Sequence, residues 1–311
     1  MVWLLDFEKH QKNISQMKTK KLYITIISLL ITFVLSAQDS TQTSKGFNIA
    51  IKNYGLSFGN SPGINGLRFN FQDKNLHKVN GLNFTIWKPA HDANKNSVIN
   101  GVALGLVMPY AERINGLSFG SATGGGQLNG LHIGLLGLSA NKRINGIGIG
   151  GLGVGCDGNA NGLLIGGLGS GIDGNMNGIL FSGLGAGVDG KMNGIALTGL
   201  GIGIDDDMRG LLFAGLGGGV DGSFTGLAFA GLGLGFEEVR NGLTFSLGKI
   251  EAKKFQGLNA CSYFKTENLT GISIAIFNRV KELHGLELGL INYAGNNPRG
   301  LRVLPLVNMH F

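Results

Sequence analysis

Cysteine is almost missing from this chain: Cys156 and Cys261 are the only two among 311 residues. They lie about seven repeat units apart in the pattern described below, which stacking places far beyond disulfide reach. Stabilisation by a disulfide framework is thereby excluded. Tryptophan occurs twice, tyrosine and proline five times each, and charged residues make up only 14%. Hydrophobic residues at 43% and a mean hydropathy of +0.18 exclude a disordered chain, which needs low hydropathy and high charge. The formal charge is +7, but residues 1–37 hold five Lys against Asp6 and Glu8, so the remainder carries only +4. With no basic cluster in that remainder, nucleic acid has no electrostatic footprint to bind.

Glycine is what the chain has in excess: 56 residues, against an average usage near ~7%. Its distribution is periodic. Residues 145–240 repeat one 16-residue text six times, beginning NGIGIGGLGVGCDGNA and NGLLIGGLGSGIDGNM. A fixed period of this size is the signature of a repeat architecture. In the unit Asn161 to Met176, Leu163 and Ile165 alternate and predict one buried strand face. Apolar parity shifts across Gly166-Gly167, which predicts a corner, since glycine accepts backbone angles that other residues resist. Leu168 and Ile172 then share a face. Asp173-Gly174 and Asn177-Gly178 are turn dipeptides. One unit is thus two short strands and two turns, too small to bury its own apolar face, so units must stack.

Stacking aligns equivalent residues about 4.8 Å apart. Asn129, Asn145, Asn161, Asn177 and Asn193 are then expected to form an amide ladder of the kind that stabilises stacked strands. Asp157, Asp173, Asp189, Asp205, Asp221 and Glu237 are expected to form a carboxylate column, the weak candidate site for a metal ion. Stacked carboxylates repel by about 1 kcal/mol per pair in water, which a bound calcium ion would relieve. The simpler reading is that Asp-Gly makes the turn. Cys156 occupies the slot of Ile172, Val188 and Ile204 and is expected to act as a small core hydrophobe.

Looser copies extend the motif to Gly46 and to the C-terminus, among them GLRFNF, GLNFTI, GLSFG, GISIAI and GLELGL. Their third letter is often polar, as at Asn48, Arg68, Asn83, Ser118 and His132, and the alternation predicts that this letter faces water. In the central units it becomes Gly148, Leu164, Leu180, Ala196, Leu212 and Ala228. That predicts an exposed central apolar stripe, through which the chain would meet the outer membrane or another envelope protein.

The start has a different character. From Met17 the text MKTKKLYITIISLLITFVLSAQDS places Lys18, Lys20 and Lys21 before an apolar run, Leu22 to Leu35, and the small pair Ser36-Ala37. This succession predicts a secretory signal peptide over residues 17–37, cut after Ala37. Residues 1–16 are then an upstream extension from a start codon placed too early, 38–45 a linker, and 46–311 a single β-repeat domain with its most regular core at 145–240.

The GLxxG units, GLELGLINYAGN and the closing LRVLPLVNMHF resemble the glycine-rich surface-repeat proteins of spirochaetes and related Gram-negative bacteria, including the Bacteroidetes type. The resemblance spans Gly46 to Phe311 and implies an exported protein at the outer membrane or cell surface. It brings no established activity with it.

Catalytic chemistry has little support. The histidines are scattered and are expected on the solvated surface, and His91-Asp92 falls in the longest loop, Lys88 to Ser97. GIGIGGLGVG contains GxGxxG by letter, but no helix pattern follows it, so no dinucleotide site is expected. No catalytic residue and no organic cofactor are assigned. The fold expected is an all-β solenoid with one unit per coil. The alternatives are a closed antiparallel outer-membrane barrel with one strand per unit, and an open repeat sheet. The function expected is a structural or adhesive envelope protein without catalytic activity, with an outer-membrane barrel and a calcium-responsive binding module as alternatives.

Overall fold

The computed structural model describes residues 46–74, 76–89 and 96–311. The expected signal peptide, its upstream extension, the linker and His91-Asp92 lie outside them. The compact unit runs from Gly46 to Phe311.

Parallel pairing dominates. Met176–Ser182 pairs with residues 160–166 on one side and with Met192–Thr198 on the other, each residue lying against its equivalent one repeat away. Gly185–Val188 pairs in the same way with Gly169–Ile172 and Gly201–Ile204. The chain therefore winds as a β-solenoid, with a wide sheet of seven- or eight-residue strands and a narrow sheet of four-residue strands in each central coil. The wide ladder begins at Tyr54–Phe58 and can be followed through every repeat to Leu286. A closed antiparallel barrel is ruled out, because such a barrel needs antiparallel neighbours and these are parallel and in register.

Antiparallel strands occur only at the ends among the described residues. Phe47–Ile51 folds back on Tyr54–Phe58 through Lys52 and Asn53, both at positive φ (49° and 67°), the geometry of a tight hairpin turn. Val303–His310 lies antiparallel on the last coil, with His310 opposite Gly285. Each end of the stack is thus covered by a reversed strand in place of another coil.

Within a coil the corner falls at Gly183-Leu184, equivalent to Gly167-Leu168. That is one residue beyond the expected Gly166-Gly167, because Gly166 still belongs to the wide strand. The turn at Asp189-Gly190 is equivalent to the expected one at Asp173-Gly174. Asn177-Gly178 is not a turn. Both residues sit inside the strand Met176–Ser182, where Gly178 has φ +132°. A Cβ on Gly178 would collide with the carbonyl oxygen of Gly162, and the same close approach recurs at Gly162, Gly194 and Gly210. The missing side chains of this glycine column would point at the coil before, so their absence lets adjacent coils stack.

The inside–outside assignment is the reverse of the sequence reading. Leu180 is fully buried, while its neighbours Ile179 and Phe181 are 40% and 45% exposed. Leu164, Ala196, Leu212 and Ala228 are interior as well, so the expected exposed stripe is in fact core. The polar letters at the ends are interior too: Arg68, Asn83, Ser118 and His132 are fully buried, whereas Asn48 is exposed. Leu168 is likewise outside at the corner, and Ser170 and Ile172 point in. The reason is alternation. It puts the third letter inside together with the Met176, Met192 and Met208 column, which becomes Phe224 one coil later, and so turns the second and fourth letters outward. The core is a set of columns, Val79, Ile99, Ile114 and Ile144 in the earlier coils and Met176, Met192 and Met208 later, facing Val188 and Ile204 of the narrow sheet. Cys156 is buried among the latter, beside Ile172, and both cysteines are free.

Candidate functional site

The amide ladder is present and longer than expected. Each Asn donates through Nδ2 to the Oδ1 of the preceding one, from Asn80 to Asn65 (2.6 Å) through to Asn193 to Asn177 (3.0 Å), without interruption. It stops where Arg209 takes the next position. A second ladder was not foreseen. Asn159 Oδ1 accepts the Asn175 N–H (2.9 Å), Asn175 Oδ1 the Lys191 N–H (2.8 Å), and Asp207 Oδ1 the Ser223 N–H (3.0 Å). These side chains hold the turns together between coils. The Ser223 N–H and the Lys191 ammonium, 3.1 Å away, keep the Asp207 carboxyl below its ordinary range.

Asp157, Asp173, Asp189, Asp205 and Asp221 stand in a column at the turn edge, all exposed, with Glu237 following. The N–H of each of the first four bonds to the coil before it, as in Asp189 N to Ile172 O (2.9 Å). The column's C-terminal end opens on a shallow groove of about 790 Å³, where Glu237 pairs with Lys253 (2.6 Å) and Glu267 with Lys281 (2.6 Å). Among the described residues, no group of three or more His, Cys, Asp or Glu comes together to hold a metal ion.

The interior is polar near both ends. At the N-terminal end Arg68 and Asp73 form a fully buried ion pair, and Arg68 Nη1 also donates to Asn83 Oδ1 (2.8 Å). His132 Nδ1 lies 2.7 Å from Ser118 Oγ, and burial lowers its pKa to about 4, which keeps the ring neutral. The pair resembles a nucleophile and base, but both residues are fully enclosed, so no substrate reaches them. At the other end Ser273 Oγ donates to Asn259 Oδ1 (2.9 Å), and Asn278 Nδ2 to Asn292 Oδ1 (2.7 Å). Glu287 shares this interior. It is fully buried, neither carboxylate oxygen receives a hydrogen bond, and desolvation raises its pKa to about 8. The thiols are similarly unreactive: burial raises the pKa of Cys156, and that of Cys261 to about 12.

The outside of the wide sheet carries the most extended feature. Two side-chain columns face outward from the first coil to the last, one from Leu56 to Leu286 and one from Phe58 to Leu288. Every residue in both columns is apolar, and none is buried. Rings stack between coils, as with Phe58 on Phe69 (5.7 Å) and Phe229 on Phe245 (5.1 Å). A third column of exposed leucines runs along the corner, Leu152, Leu168, Leu184, Leu200, Leu216 and Leu232. Comparison with protein-family models, curated proteins and solved structures finds no match. The apolar face therefore has to be understood from its own chemistry.

Sequence reasoning missed this face because it ranked positions by hydropathy. The usable signal was persistence. Phenylalanine recurs at the fourth letter in coil after coil (Phe69, Phe84, Phe181, Phe213), while the third letter drifts from Gly148 through Leu164 to Arg68. Phenylalanine that persists beside a slot of changing character marks the outward column.

Proposed function

We propose that this chain is an exported structural or adhesive repeat protein of the cell envelope, working by surface binding and not by catalysis. The observation that carries the reading is the uninterrupted outward apolar face of the wide sheet. A monomer in water rarely exposes a contiguous apolar patch beyond ~300–600 Å², and this one runs from end to end of the stack. The signal-peptide pattern before Ala37 and the resemblance to glycine-rich surface-repeat proteins both support an envelope location. A ladder-built rod needs no disulfide, which suits a chain with two unreactive cysteines.

Cell fractionation with N-terminal sequencing of the accumulated protein tests the reading. The expected result is a chain starting at Gln38 in the outer-membrane or surface fraction. A cytoplasmic chain that keeps Met17 or Met1 overturns it.

A further inference from the structure

The apolar face fits one partner better than any other: a second copy of itself. Its extent is sufficient. About fifteen strand spacings of ~4.8 Å make it ~70 Å long, and from the Leu–Ile column to the corner leucines it is roughly 15 Å wide. That gives ~1,000 Å², above the ~800 Å² per partner of a standard stable interface. Its anatomy is that of an interface, with a charge-free aromatic and aliphatic centre bounded on one side, as far as Asn193, by the neutral Asn ladder. Its relief is periodic. Rows such as Ile179 with Phe181, and Leu211 with Phe213, recur at every coil, so a partner with the same spacing seats its rows between them along the whole length. A second copy supplies that spacing and an equally long face. A bilayer surface gains nothing from the periodicity of these rows.

We infer that two copies pack wide sheet against wide sheet about a two-fold axis, making a four-layered particle with the rows of Phe and Leu as its central layer. Sheets packed in this way lie about 10 Å apart, the spacing of a β-sandwich, and a two-fold axis makes the single face self-complementary. The narrow sheets, whose outward positions are glycines such as Gly171, Gly187 and Gly203, then face solvent on both sides. This inference concerns the face alone and holds wherever the chain resides.

Sedimentation velocity on the purified protein at ~10 μM, with and without anionic phospholipid vesicles, tests it. The expected result is twice the monomer mass without lipid. A Phe181→Lys/Phe213→Lys variant, and separately a Leu184→Glu/Leu200→Glu variant, should sediment as monomers with an unchanged β-sheet circular dichroism spectrum. Gly187→Lys on the narrow sheet should remain dimeric. Two variant pairs are used so that the test survives the misfolding of one. A wild-type monomer that floats with the vesicles overturns the inference in favour of a lipid-facing sheet. A monomer that ignores them, or a dimer that both folded variants keep, overturns it as well.

Discussion

Gly178 and Gly187 belong to one coil and are glycine for different reasons. Gly178 has φ +132° and its missing Cβ would strike the Gly162 carbonyl, so both conformation and space demand it. Gly187 has nothing within 4 Å of a built Cβ and no positive φ. Gly178→Ala should therefore cost about 3 kcal/mol or more, and Gly187→Ala should lie within about 0.5 kcal/mol of wild type or slightly above it. Urea melts of the two variants check this, and equal losses would contradict it. Glu287 supports a second prediction at the same scale. Its carboxyl titrates near 8 in the folded chain against an ordinary value of 4.5, so between those values the folded state holds a proton that the unfolded state has lost. Stability should fall as pH rises through that window, with the full loss present above pH 8. Glu287→Gln, which keeps the shape and removes the charge, should melt several degrees higher at pH 9 and match wild type near pH 4. Thermal melts across this range decide it; parallel curves for the two proteins would show that Glu287 does not titrate as described.

At the scale of the element, most of the coil was legible in the sequence. The 16-residue period, the corner before Leu168 and the turn at Asp173-Gly174 follow from glycine placement and parity, and the Asn ladder follows from stacking alone. The strand through Asn177-Gly178 was not legible. An Asn-Gly pair signals a turn when its glycine is free to choose a conformation, but here Gly178 is glycine because of its neighbour coil, a contact that sequence spacing does not report. The facing of the strand was lost as well, since Leu180 and Phe181 are both apolar and alternation alone does not say which of them points in. The Asn159–Asn175 turn ladder was missed because a single Asn in a turn already has a local explanation. Because Asn177 to Met192 is one full coil bonded to its neighbours in register, its deletion leaves coils that pair identically. The shortened chain should unfold within a few degrees of wild type. Loss of cooperative melting in the deletion would show that the coils are not interchangeable.

Along the whole stack, distance increases steadily with unit number. The exposed turn positions Asp157, Asp189, Asp205, Asp221 and Glu237 occupy one edge of the stack. The hydrogen bonds that bind the coils are backbone pairs and amide ladders perpendicular to the strands, so the stack has a rigid axis and a fixed rise of about 4.8 Å per coil. The polar ends and apolar centre of its interior then lie in sequence along that axis, from Arg68 through Leu180 to Glu287. Pulsed electron–electron resonance between spin-label pairs on this edge reads the rise directly. The labels replace Asp157 together with Asp189, Asp205, Asp221 or Glu237 in a Cys156→Ala/Cys261→Ser background, diluted with unlabelled chain. Stacked coils give separations that climb evenly, to ~19 Å at Asp221 and ~24 Å at Glu237. One strand per unit running up and down would instead send alternate labels to opposite ends, adding an offset of ~30 Å at Asp205 and Glu237 and none at Asp189 and Asp221. An even climb is the predicted result, and a zigzag would contradict the solenoid.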